Sequence, residues 1–185
     1  MYCGSNKTAR LSQQLLSEAM FRLLAEKPFS SISVSELCRE AEVSRQTFYS
    51  LFESKENVVT YTLMEHYCYT PETEEGSTCG TLRQMCVNYG EYVRENAALL
   101  RVLVDNDIIY LLYDGLYDSL MNCGCFLGGL TPEVRAYAAD FMAGGFTSIA
   151  RTYIRAGAGT DAALLDDLIY SLFNGSLFLE WGRSC

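Results

Sequence analysis

Within the stretch Arg-Gln-Thr-Phe-Tyr-Ser-Leu, residues 45–51, four side chains have the chemistry to read nucleic acid: Arg45, Gln46, Tyr49 and Ser50. An arginine can engage guanine, and a glutamine adenine, through paired hydrogen bonds in a DNA major groove. The Tyr49 hydroxyl and the ammonium of Lys55, slightly further on, suit phosphate contacts that fix register. Phe48 and Phe52 are four residues apart, so in a helix they share the opposite face and point to a core. An exposed tyrosine beside an arginine is an odd choice for a face that is merely solvated.

These side chains are useful only if the chain around them holds one helix outward. Ser44 can cap that helix, and Ser33 or Ser35 can cap a short one before it that presents Val34, Leu37, Cys38 and Ala41. The two meet at Glu42-Val43-Ser44, with small Ala41 at the crossing and Val43 plugging the angle. This is the layout of a helix-turn-helix, whose second helix enters the groove. Upstream, Leu15, Leu16, Ala19, Met20, Leu23 and Leu24 form an apolar stripe from Thr8 to Lys27, which Pro28 stops. Downstream, Ser54 caps a fourth helix carrying Val58, Val59, Leu63 and His66 on one side.

The string Thr47-Phe48-Tyr49-x-x-Phe52-x-x-Lys55-Glu56, after Ser33-Val34-x-x-Leu37 and the long first helix, resembles the tetracycline-repressor (TetR) family of bacterial regulators. The resemblance covers about Thr8 to Tyr67. It implies a DNA-reading head, a ligand-binding body and a homodimer. By matching positions, Thr47, Tyr49 and Lys55 would contact DNA, while Arg45, Gln46 and Ser50 vary the sequence read. With the capping Ser44, the candidate DNA-contact set is Ser44, Arg45, Gln46, Thr47, Tyr49, Ser50 and Lys55. One position departs from the pattern: Glu42 stands where relatives often have glycine. A left-handed backbone there would cost roughly 1 kcal/mol over glycine.

Residues 71–80 break the periodicity, so the expected domains are a helix-turn-helix head over 1–68 and an effector-binding and dimerisation body over 69–185. Helices resume at about Thr81–Glu95, Ala97–Val104 and Asp107–Asn122. Thr131-Pro132-Glu133 starts another that runs to Ala156, and Thr160-Asp161 starts a last one reaching Trp181. The expected fold is all-α, with about nine helices. In the body, Tyr89, Tyr92, Tyr110, Tyr113 and Tyr117 are aromatic groups with polar tips, suited to a pocket for a small, mostly apolar effector and equally to an ordinary core. The resemblance implies that the last two long helices pair with their copies. Phe141, Gly144, Gly145, Ser148 and Ile149 would line one, and Leu168, Ser171, Leu172, Gly175 and Phe178 the other, the glycines permitting close approach.

Composition narrows the alternatives. The chain of 185 residues carries a formal charge of -9, which at first argues against nucleic acid. The acidity is unevenly placed: residues 1–50 sum to +1, with six basic and five acidic groups, and residues 69–185 to -8, with seven and fifteen. A nearly neutral head implies few phosphate contacts and more reliance on base readout. The longest uncharged run, Ser119–Pro132, has 14 residues, against the 18 or so of a membrane span, so a cytoplasmic protein that does not enter a membrane is expected. The eight cysteines show no C-x-x-C pair. They read as reduced thiols, with Cys123-Gly-Cys125 the best candidate for a redox pair. No nucleophile–base set, phosphate loop, carboxylate pair or cofactor motif presents itself, so an enzyme is not expected. Partners would be double-stranded operator DNA, the effector and a second copy, with the regulator acting as a repressor. The competing reading is a related co-activator or protein-binding module that uses the same head without operator DNA.

Overall fold

The computed structural model describes residues 7–67, 81–124 and 126–181. Among these the chain is all-helical: α1 (Lys7–Glu26), a 3-10 turn (Phe29–Ser31), α2 (Val34–Glu40), α3 (Arg45–Leu51), α4 (Lys55–His66), α5 (Leu82–Glu95), α6 (Ala97–Asp105), α7 (Tyr110–Asn122), α8 (Pro132–Arg155), α9 (Ala162–Phe173) and α10 (Ser176–Trp181). No described helix is long and apolar enough to cross a membrane.

The starts of these helices are written locally. Ser33, Ser44, Ser54, Thr81, Thr131 and Asp161 each accept a backbone N–H of the following turn. Each thereby satisfies a donor that a helix leaves orphaned at its N-terminus. Ser54 does so reciprocally, because the Asn57 side chain accepts from the Ser54 N–H in return. Of the two serines that could cap α2, Ser33 does.

The ends depend more on backbone conformation. Helix α2 closes with Val43 N–H on the Cys38 carbonyl (2.9 Å) and Glu42 N–H on that of Arg39 (3.2 Å). This pairing is a Schellman motif and needs a left-handed residue between, which is Glu42 at φ 54°. Helix α6 ends the same way through Asp107 at φ 58°, so Asp107 closes α6 instead of opening α7, which begins at Tyr110. The expected single C-terminal helix is broken: Gly175 adopts φ 79° and separates α9 from α10. The positive φ gives this glycine a local reason, a turn between the two helices.

Head and body share one buried cluster, running from Leu16, Met20, Phe48 and Phe52 through Val59 and Leu63 to Leu112, Leu116, Phe146 and Ile169. Leu15 is the exception in the α1 stripe, lying exposed. The head is α1–α4, with α1 packed on α2, α3 and α4; the body joins it chiefly where α4 packs on α7, Met64 filling the space over Gly115. In the body, α9 is clamped onto α5. Arg94 pairs with Asp166 at 2.7 Å, Arg83 with Asp167 at 3.4 Å, and the Arg83 guanidinium lies 4.2 Å from the Tyr170 ring centre. Gly90 makes this possible, because a Cβ there would stand 2.0 Å from Asp166 Oδ1.

Candidate nucleic-acid interface

Helix α3 is held by its inward face. Phe48 and Phe52 are fully buried, their rings 6.0 Å apart, with Tyr61 of α4 packed edge-on against Phe52. Ala41 and Leu51 close the same seam. The outward face carries Arg45, Gln46, Tyr49 and Ser50, all exposed. Tyr49 is 54% exposed, its ring braced at right angles on Phe48. Among the described residues, no side-chain hydrogen bond or ion pair engages Arg45, Gln46 or Tyr49. Their donors are therefore available to an external acceptor.

The hydroxyls behave differently. Ser44 Oγ accepts from Thr47 N–H (3.0 Å) and lies 2.8 Å from Thr47 Oγ1. Ser50 Oγ donates to the Thr47 carbonyl at 2.7 Å. These groups secure the first turns of α3, and Ser50 has only its lone pairs to offer outward. Lys55 is more committed still. Its Nζ donates to the carbonyls of Phe29 (2.7 Å) and Ile32 (2.8 Å) and lies 4.2 Å above the Phe29 ring. One N–H remains for a phosphate. The main work of Lys55 is to bind the start of α4 to the turn after α1.

That anchor extends into the body through a contact the sequence did not signal: Phe29 N–H donates to Asn106 Oδ1 at 3.0 Å, 77 residues away. Asn106 Nδ2 is meanwhile held by the Val102 carbonyl at 2.9 Å. No local pattern encodes a pairing at that separation.

Charge around α3 is trimmed by pairing. Arg22 holds Glu40 at 3.0 Å. Glu36 is hydrogen-bonded by Lys27 and lies 3.6 Å from Arg39. The Lys27 hydrogen bond keeps the Glu36 carboxyl below its ordinary range. Arg39 is 80% exposed beside the turn. Glu42 before α3 and Glu53 after it are both exposed, and among the described residues neither forms a salt bridge.

Elsewhere the candidate residues separate. Tyr89 and Tyr92 are buried, and their hydroxyls donate to the carbonyls of Phe146 (2.7 Å) and Leu63 (3.4 Å). Burial pushes both phenols well above their usual range. Their polar tips are consumed by backbone, so they are core residues. Tyr110 is half exposed. Tyr113 is hydrogen-bonded to Asp140, which raises its phenol to about 12, and it stacks on Tyr117 with ring centres 6.1 Å apart. Tyr89 and Tyr92 thus pack on each other, Tyr113 and Tyr117 stack, and Tyr110 belongs to neither pair among the contacts of the described residues.

Along α8 and α9, Phe141 (67% exposed), Leu164 and Leu168 leave an apolar face uncovered, continued by Phe178 on α10. Ser148 is exposed, whereas Ile149, Ser171 and Leu172 are half-buried. Gly145 gives close approach within the chain, since a Cβ would meet the Phe173 ring at 2.9 Å; nothing approaches Gly144. Cys38 and Cys86 are buried free thiols. Desolvation raises both, Cys86 to about 11. Cys123 is half-buried and Cys125 lies outside the described residues.

The chain thus carries a helix-turn-helix head on an all-helical body among the described residues. Residues 16–61 match the family model for the bacterial regulatory proteins of the tetR family, a match that takes in α1 from Leu16 through most of α4. Over 104 residues it is 26% identical to the HTH-type dhaKLM operon transcriptional activator DhaS of Lactococcus lactis subsp. lactis (strain IL1403). That match takes in 56% of this chain and 49% of DhaS, about half the relative's length. Among solved structures, Lin0861 from Listeria innocua superposes with a TM-score of 0.75 at 18% identity, covering 97% of this chain and 96% of Lin0861. The dihydroxyacetone kinase operon activator DhaS gives 0.50 at 16% identity, covering 91% and 97%. At these identities the structures establish the fold.

Proposed function

We propose that the protein is a ligand-responsive transcriptional regulator, acting as a repressor in the cytoplasm, whose residues 1–68 bind DNA and whose residues 69–185 bind an effector and dimerise. The observation that carries this reading is the pairing of a locked inner face on α3 with an outer face where Arg45, Gln46 and Tyr49 are exposed. Arg45 and Gln46 read base edges, Tyr49 and the remaining N–H of Lys55 hold phosphates, and Ser44, Thr47 and Ser50 shape the helix that carries them. The uncovered face of Phe141, Leu164, Leu168 and Phe178 is where a second copy docks. Isologous pairing would set two α3 helices about 34–36 Å apart and call for a palindromic operator. A small, mostly apolar effector switches the protein only if it binds one head–body arrangement more tightly than the other.

Fluorescence anisotropy with DNA from upstream of the protein's own gene, at several salt concentrations, tests this. Binding that exceeds binding to scrambled DNA, and that weakens with salt, is expected. No preference over scrambled DNA would sink the repressor reading. The second reading is a co-activator or protein-binding module that uses the same head without operator DNA; the relative DhaS, named as an operon transcriptional activator, bears only on the sign of regulation. That reading predicts no operator and a stable complex recovered by pull-down.

A further inference from the structure

The 3-10 turn Phe29–Ser31 lies between α1 and α2, and both of its ends are held by side chains from elsewhere. Its cap residue is Pro28, whose ring offers no acceptor to the first N–H of the turn. Asn106 supplies that acceptor from the body, its Oδ1 taking the Phe29 N–H at 3.0 Å. At the other end the carbonyls of Phe29 and Ile32 both accept from Lys55 Nζ, which also lies over the Phe29 ring. The turn is therefore a bridge. Asn106 grips one end of it, and Lys55, the first residue of α4, is seated on the other.

The body end of this bridge is firmly placed. Asn106 Nδ2 donates to the Val102 carbonyl at 2.9 Å, so both polar atoms of the amide are engaged and its orientation is fixed. Just beyond, the Ile108 N–H closes on the Leu103 carbonyl (2.9 Å), both side chains are buried, and Asp107 takes φ 58° between them. That left-handed ending sets where the end of α6 points. At the head end, two of the three Lys55 N–H groups are taken by carbonyls, and an ammonium seated on two carbonyls moves with them. We propose that Asn106 is a positioning residue for the head, setting from the body where the Lys55 ammonium meets a DNA phosphate. Helix α6 packs on α8, so a shift of α6 against the head reaches Lys55 through one turn of chain. The role at DNA rests on the function proposed above; the seating of Lys55 by Asn106 does not.

Nuclear magnetic resonance of the full chain, labelled with 13C at lysine Cε, reads the seating without DNA. The chain has three lysines, Lys7, Lys27 and Lys55, so the Lys55 signal is the one lost in Lys55→Met. Asn106 is half-buried, and Asn106→Ala should keep its helix content by circular dichroism while moving the Lys55 signal and leaving that of Lys7. Asn106→Asp keeps an oxygen for the Phe29 N–H and loses only the donor to Val102, so the Lys55 signal should stay in place. With operator DNA, Asn106→Ala should weaken binding about fivefold. It should also lower the slope of log affinity against log salt by about one, as Lys55→Met does. The two changes together should cost no more than Lys55→Met alone, because both act on one contact. An unchanged slope with full additivity would reduce Asn106 to a stabilising contact and overturn the proposal, as would an unmoved Lys55 signal in Asn106→Ala. Absence of specific DNA binding by the unaltered chain would instead refute the regulator reading, and the Lys55 signal would still decide the seating.

Discussion

The head and the body are built from the same kind of element but stabilised by different means. In the head, α2, α3 and α4 each start on a serine whose side chain accepts the backbone N–H three residues on. The functional side chains follow within a turn of the Ser44 cap. In the body, α6 and α7 start without a side-chain cap. Much of the body's arrangement comes from contacts between distant helices: Asp166 of α9 over Gly90 of α5, Met64 of α4 over Gly115 of α7, and Phe173 of α9 over Gly145 of α8. The head is a locally encoded device, and the body a globally packed one. Reading DNA requires a fixed spacing along one helix, whereas holding an effector and a second copy requires surfaces assembled from distant segments.

Substitutions can break that comparison, beginning with the largest effect. Arg45→Ala with Tyr49→Ala should weaken operator binding by about 10²–10³-fold, since removing one base or phosphate interaction costs about 1–3 kcal/mol. Helix content by circular dichroism should not change, because neither side chain packs in the core. A parallel loss of helix would show that α3 is not held by Phe48 and Phe52 alone. Gly90→Val should cost about 3 kcal/mol in urea unfolding, because Asp166 must leave and strand Arg94. Operator affinity of the folded fraction should be less affected than stability.

Lys55→Met blurs the division usefully. Losing two charge-assisted hydrogen bonds to Phe29 and Ile32 should cost about 2 kcal/mol of stability, with a smaller loss of operator affinity than Tyr49→Ala. A variant of unchanged Tm that no longer binds would return Lys55 to a purely DNA-contacting role. Glu42→Gly should stabilise by about 1 kcal/mol, because glycine accepts φ 54° without the Cβ penalty. It should also strengthen non-specific DNA binding slightly by removing a surface acid.

The smallest effect is a pH dependence. Glu36 titrates below its ordinary value because Lys27 is hydrogen-bonded to it. A depressed carboxyl contributes stability that is present above its unfolded value, 4.5, and is lost as pH falls through the lower folded one. Thermal unfolding from pH 6 to 3 should show a shallower fall in Tm for Glu36→Gln than for the unaltered chain. Equal slopes would remove the pair from the account of head stability.

The head was largely legible because its signals lie close together in sequence. Ser44, the Phe48/Phe52 pair and the Arg45–Tyr49 face fall within nine residues, so helical periodicity alone separates the inner side from the outer. The left-handed conformation at Glu42 was signalled only through the resemblance, since relatives often carry glycine at that turn position. The limits of that logic show at Gly175 and Asp107. A glycine or an acid inside an apolar run reads equally well as continuation or as break, and tertiary packing decides. Tyr89 and Tyr92 show a related limit: a tyrosine's polar tip looks alike in sequence whether it meets a ligand or, as these hydroxyls do, the carbonyls of Phe146 and Leu63.

The sequence by itself determined an all-helical chain, most of its helix starts and the face of α3 turned outward, because caps and periodicity act over four residues or fewer. Only the tertiary structure decided that Lys55 is chiefly an anchor and that Asn106 reaches Phe29. Those features join residues far apart in the chain, and no local pattern records which distant groups a fold will bring together.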